Sequence, residues 1–296
     1  MFKYFLVILS FLTLSFYAQE EKRLALVIGN ANYDEGALKN PVNDALLMAS
    51  TLDTLGFDII LDTNISSKRD FRNKISEFGD KRPNYDVAFV YYAGHGVQVN
   101  NQNYLLPTKE EFKSEFNVED FGISVQMIIR YLTTITDQVN VLILDACRDN
   151  PFETNWDATR SLGGSGLAKM QAPSGSMIAF STTAGNTAPD GDGQNSVYCS
   201  VLSKNMLLEG VNLDQVFRNV RSEVKQLTNG KQMTEESTQL TGETFYLVQN
   251  TFTKELKQID DLVDEENYLA ALEIASHVVE LSPNNAIAHY KKARVY

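Results

Sequence analysis

The 296-residue chain predicts an α/β fold, a largely parallel sheet flanked by helices on both faces, followed by a purely helical C-terminal segment. Three observations carry this expectation. Short apolar runs alternate with amphipathic stretches at helical spacing as far as Leu227. The runs are nearly continuous in Val, Ile, Leu and Ala, as strands covered on both faces require. After Val248 the strand signal stops and only helical periodicity remains.

Taken in order, strands are predicted at 24–29, 57–62, 87–92, 139–144 and 177–182, with a shorter one at 244–248. Between the first two, Leu46, Leu47, Ala49, Leu52 and Leu55 recur near helical spacing, and Gly56 supplies the stop. A second helix over 67–78 carries Phe71, Ile75 and Phe78, and a third over 120–135 carries Val125, Ile128, Ile129 and Leu132. Residues 150–176 and 189–195 read as surface loops, after which 196–208 and 213–227 resume the helical period. Beyond 250, Leu256, Ile259, Leu262 and Val263 open a helix. A second follows over 268–281, closed by Pro283, and a third begins at Ala286.

The charge balance is acidic, 26 basic against 38 acidic side chains for a net −12. That argues against non-specific nucleic-acid binding, which needs clustered cations, and it suits a cationic substrate. At the N-terminus, Lys3 precedes a short apolar stretch and Ala18 stands before a polar segment. This is the layout of a signal peptide over 1–18, too short to span a bilayer comfortably. Export to the periplasm or the extracellular space follows, with no stable membrane span once the signal is removed. Two cysteines in an exported chain raise the possibility of a disulfide; Cys199, near the start of a helical stretch, reads instead as a free, mostly buried thiol.

The candidate chemistry lies at two strand ends. Asp86 to Gly96 closes on Ala93-Gly-His95-Gly96, and Val139 to Arg148 closes on Asp145-Ala-Cys147-Arg148. In a parallel sheet both emerge at the carboxyl edge, where ligands bind. An imidazole beside a thiol raises the thiolate fraction and so makes a nucleophile. The cysteine follows the histidine by 52 residues, near the ~50 of caspase-type peptidases. The opening run Leu24 to Tyr33, both strand ends, Gly166-Leu-Ala, Ser176-Met-Ile-Ala-Phe, Asp190-Gly-Asp-Gly-Gln-Asn-Ser196 and Gly242-Glu-Thr-Phe-Tyr appear in family order. Over residues 22–248 the chain thus resembles the caspase-like cysteine peptidases, and within them the bacterial metacaspase and paracaspase-like branch.

The resemblance implies a caspase-like peptidase domain over 20–250 and a cysteine endopeptidase working through a dyad. Cys147 would be the nucleophile, His95 its proton partner, and the Gly96 and Cys147 backbone N–H groups the oxyanion donors. Asp44 and Asp145 match the positions that form an acidic S1 pocket in metacaspases, implying protein or peptide substrates with Arg or Lys at P1. Caspases that cut after Asp use arginines there, and none matches. The 150–176 loop offers Arg160 as a site of self-cleavage. The last 46 residues, 251–296, resemble an incomplete tetratricopeptide array of about 34-residue repeats, a possible protein-binding segment; the alternative is an ordinary helical hairpin packed on the domain.

No metal site and no cofactor are expected. Residues 190–201 fail the calcium-loop template, with Asn195 at the sixth position and Val201 at the twelfth. Residues 119–126 lack the paired aspartates of calcium-activated metacaspases, which disfavours calcium dependence. His277 and His289 read as packing or surface residues. Two rival readings remain. A nucleotide-binding domain is poor, because no G-x-G-x-x-G or Walker loop follows the first strand. A catalytically weak or inactive caspase-like scaffold, its repeat segment holding a protein partner, is the other.

Overall fold

The computed structural model describes residues 21–134, 138–147, 167–183, 193–249, 252–283 and 286–296. The expected signal peptide, Arg160 and most of both expected loops lie outside these residues. Strands β1 (Arg23–Gly29), β2 (Phe57–Thr63), β3 (Val87–Val99), β6 (Val139–Cys147) and β7 (Ser176–Phe180) pair in parallel in the order β2-β1-β3-β6-β7. A sixth strand, β8 (Glu235–Thr238), pairs antiparallel at the β7 edge. The far end of β3 continues into a small antiparallel extension with β4 (Gln102–Leu105), which pairs in turn with β5 (Ile123–Ser124).

Period-2 alternation along the strands divides the core into two layers. Phe89, Tyr91 and Ala93 of β3 pack with α1 (Pro41–Thr54), α5 (Val197–Met206) and α6 (Leu213–Leu227). Ala88, Val90 and Tyr92 pack on the other face with α2 (Lys68–Lys81) and α4 (Val125–Leu132). The α/β expectation therefore holds for the main body. Three helices follow it: α7 (Thr253–Asp264), α8 (Tyr268–Leu281) and α9 (Ala286–Val295). Leu256, Ile259, Ala271, Ala275, Val278 and Ala288 form a separate buried cluster among them.

Two elements differ from expectation. The helix expected over 120–135 is divided into α3 (Glu115–Phe121), β5 and α4. Gly122 caps α3 in an extended conformation, and a Cβ there would lie 2.5 Å from the Val118 carbonyl oxygen. The strand expected at 244–248 is a strap: only Tyr246 bridges, to Asn212, while Arg23 Nη1 donates to the Leu247 carbonyl at 2.8 Å. The sheet edge is filled instead by the polar β8, whose Glu-Glu-Ser-Thr sequence carries no apolar signal.

One close approach sets the active edge. A Cβ on Gly29, the last residue of β1, would lie 2.3 Å from the Pro41 carbonyl oxygen and 2.6 Å from Ala45 Cβ. Only glycine lets the first turn of α1 rest against the carboxyl end of β1. That contact brings Asp44, in the same turn and 2% exposed, to the edge where β3 and β6 end.

Candidate active site

His95 and Cys147 are register partners at the ends of the adjacent parallel strands β3 and β6, whose backbones in such a pair run about 4.8 Å apart. Gly94 precedes the histidine at φ +151, and a Cβ there would come 2.7 Å from the Tyr92 hydroxyl and 2.8 Å from that of Tyr33. The same hydroxyls hold His95 in place. Its backbone N–H donates to Tyr33 Oη at 2.9 Å, and its carbonyl accepts from Tyr92 Oη at 2.8 Å. The Tyr33 ring lies against the imidazole with centroids 4.4 Å apart.

His95 Nε2 stands 2.6 Å from the carbonyl oxygen of Gly36. A carbonyl only accepts, so Nε2 carries the proton and Nδ1 is the nitrogen that can exchange one. On its Nε2 side the ring is therefore oriented by main chain, and no sequence motif signals such a partner.

Next along β3, a Cβ on Gly96 would meet Leu167 Cδ2 at 2.9 Å and Ala146 Cβ at 3.2 Å. Leu167 is placed there by Asn103 of β4, buried at 4% exposure. Asn103 Nδ2 donates to the Ala168 carbonyl at 2.8 Å, and Oδ1 accepts the Ala168 N–H at 2.6 Å. One amide thus fastens a segment without regular structure to the strand end.

Asp44 and Asp145 meet at the start of α5. Asp44 Oδ1 accepts from Asn195 Nδ2 and from the Ser196 N–H, both at 2.9 Å. Asp145 Oδ2 accepts from Tyr91 Oη and from Ser196 Oγ, both at 3.0 Å. Ser196 also caps α5, its Oγ accepting the Cys199 N–H at 3.0 Å. Burial, reinforced by the charge of Asp44, pushes the Asp145 carboxyl up to about 7, against the opposing effect of the Ser181, Ser196 and Tyr91 hydroxyls. Below the pair, Cys199 is a buried free thiol whose Sγ donates to the Asp44 carbonyl at 3.4 Å. Burial also raises that thiol well above its ordinary value.

The five residues singled out from sequence therefore gather on one edge. His95, Gly96 and Cys147 lie on two neighbouring strand ends, while Asp44 and Asp145 share Ser196. Sequence reasoning missed Tyr33, Gly36, Tyr91 and Asn103, and it placed Ser196 only as a helix start. A serine before an apolar helical run is a capping signal, but its contacts with two distant acids depend on the tertiary fold. Among the described residues, no group of three or more His, Cys, Asp or Glu side chains is arranged to hold a metal ion.

Comparison with known proteins gives one family and a set of distant folds. The family described as Caspase domain matches residues 22–246. Caspase-1 from Spodoptera frugiperda superposes with a TM-score of 0.58 at 15% identity, covering 78% of this chain and 91% of that one. The Drosophila initiator caspase Dronc superposes with a TM-score of 0.54 at 12% identity, covering 76% and 82%. No curated protein matches the chain. At such identities the structural likeness speaks for the fold.

Proposed function

The chain belongs to the caspase domain family, and from that premise we propose that it is a cysteine endopeptidase cutting after Arg or Lys. The observation that carries the proposal is the register pairing of His95 with Cys147 beside two acids joined through one serine. Cys147 Sγ attacks the scissile carbonyl as a thiolate, forming the carbon–sulfur bond. Backbone N–H groups of Gly96 and Cys147 meet the oxyanion. His95 gives a proton from Nδ1 to the leaving amine, then takes one from the water that hydrolyses the thioester. Throughout, Nε2–H stays on the Gly36 carbonyl, which keeps the ring from turning.

Asp44 and Asp145 supply the S1 acids. Two carboxylates taken out of water repel each other, and a guanidinium or ammonium between them relieves that cost. A neutral or acidic P1 side chain offers no such relief, so the pair selects by charge. Export rests on residues 1–18 and belongs to the same proposal. So does a repeat-like role for α7 to α9, which the exposed Leu269, Ile287 and Tyr290 support as a face for a protein partner. That face also favours a second reading, an inactive scaffold.

The deciding experiment is hydrolysis of matched Arg-, Lys- and Asp-terminated fluorogenic peptides, with and without calcium. Wild type is expected to cleave the basic pair, Cys147→Ala to fall to background, and Asp44→Ala or Asp145→Ala to lose about 10- to 100-fold in kcat/KM, the worth of one charge-assisted contact. Turnover retained by Cys147→Ala, or a preference for Asp, overturns the assignment. A folded wild type inert to all three peptides favours the scaffold.

A further inference from the structure

Ser196 is bonded to both S1 acids. Its backbone N–H serves Asp44 and its hydroxyl serves Asp145. Oγ accepts the Cys199 N–H on one lone pair, and its single proton reaches Oδ2 of the ionised Asp145, which has none to give. A hydroxyl donating to a carboxylate favours the ionised acid. The first turn of α5 adds its partial positive charge on the same side.

Among the described residues, the groups facing Asp145 come from four neighbouring parts of the fold. They are Asp44 on α1, Tyr91 on β3, Ser181 after β7, and Ser196, Tyr198 and Cys199 at α5. Burial raises Tyr91, Tyr198 and Cys199 well above their ordinary values, so each stays neutral near pH 7. Among them, the negative charge of Asp44 is what opposes ionisation of Asp145. The hydroxyl donors provide the opposing pull.

We infer that Ser196 is a specificity-determining residue, which favours the charged form of Asp145 and so sets the pH range over which the S1 pocket accepts a basic side chain. The inference rests on the basic-P1 reading above and adds a residue and a pH dependence to it. With Asp145 near its midpoint around neutrality, a cationic side chain enters the pocket as a proton leaves. Binding of an Arg substrate should therefore strengthen as pH rises. Loss of the Ser196 hydroxyl moves that rise to higher pH.

The experiment is a pH series, from 5.5 to 9, of kcat and KM for an Arg-terminated peptide with wild type, Ser196→Ala and Ser196→Thr. Ser196→Ala should move the rise in 1/KM upward by roughly one pH unit, about the worth of a hydrogen bond to a charge. Its KM should be about fivefold worse at pH 7 and approach wild type at pH 9, while Ser196→Thr, which keeps the hydroxyl, restores the profile. Because alanine also removes the α5 cap, at about 1 kcal/mol, the thermal midpoint is followed across the same pH range. Its inflection near neutrality should shift upward too, a readout that needs no activity. Superimposable wild-type and Ser196→Ala profiles overturn the inference, as does an upward shift that Ser196→Thr shares. A wild type that does not favour Arg overturns the basic-P1 reading instead, and the thermal series then tests the Ser196–Asp145 bond alone.

Discussion

In the proposed S1 pocket, Asp145 would serve binding at the expense of stability. Its folded pKa, about 7, lies above the ordinary carboxylate value of 3.8. Between those limits the folded chain binds more protons than the unfolded one, so stability falls as pH climbs through this window and levels off above it. Each pKa unit corresponds to about 1.4 kcal/mol. An amide in place of the acid has no charge to bury and still accepts one hydroxyl proton. Asp145→Asn is thus expected to match wild type in thermal midpoint near pH 4 and exceed it by several degrees at pH 8, while losing hydrolysis of Arg peptides. Calorimetry across that range checks it, and a variant less stable than wild type at pH 8 refutes it.

At the scale of elements, what could be read from sequence was what periodicity encodes. The apolar runs ending at Gly29, His95 and Cys147 signal buried parallel strands because their apolar residues pack into the clusters on the two faces of the sheet. β8 carries no such signal, since an edge strand of Glu-Glu-Ser-Thr is held by backbone pairing to β7 rather than by apolar burial. The strap at 244–248 gave a false one: Leu247 is buried, but by side-chain packing and the Arg23 bond rather than by a ladder. The candidate site divides in the same way. His95, Cys147, Asp44 and Asp145 are reactive side chains in motifs, whereas the Gly36 carbonyl is main chain and Asn103 acts through the backbone of Ala168. Asn103 is the more testable of the two. Asn103→Ala leaves a buried N–H and C=O of Ala168 without their partner and releases Leu167 from Gly96. It should cost about 2–3 kcal/mol in denaturant unfolding and reduce kcat/KM at least tenfold; a loss below about 0.5 kcal/mol contradicts the clamp.

On the scale of the whole molecule, the division between the sheet body and the last three helices lies where buried clusters change hands. The clusters on the two faces of the sheet take in Leu247 as their last buried residue, and the α7 to α9 cluster is built from those helices alone, with Phe252 packed against it. The strap just before it belongs to the body. Leu213 N–H bonds the Phe245 carbonyl, Gly210 N–H bonds the Val248 carbonyl, and Arg23 bonds that of Leu247. The ion pair Lys257–Glu243 joins two well-exposed side chains and contributes little. A chain ending at Val248 should therefore keep its thermal midpoint within about 3 °C and its peptide hydrolysis within about threefold, since among the described residues α7 to α9 share no buried cluster with the sheet. A chain ending at Thr244 should not. It loses Leu247 from the α1 layer, which alone is worth about 2–3 kcal/mol, together with two backbone bonds at the α6 start and the Arg23 side-chain bond to the Leu247 carbonyl. Differential scanning calorimetry and peptide turnover of the two truncations decide the point: equal loss in both would show that α7 to α9 stabilise the body directly, and equal retention would show that the strap does not.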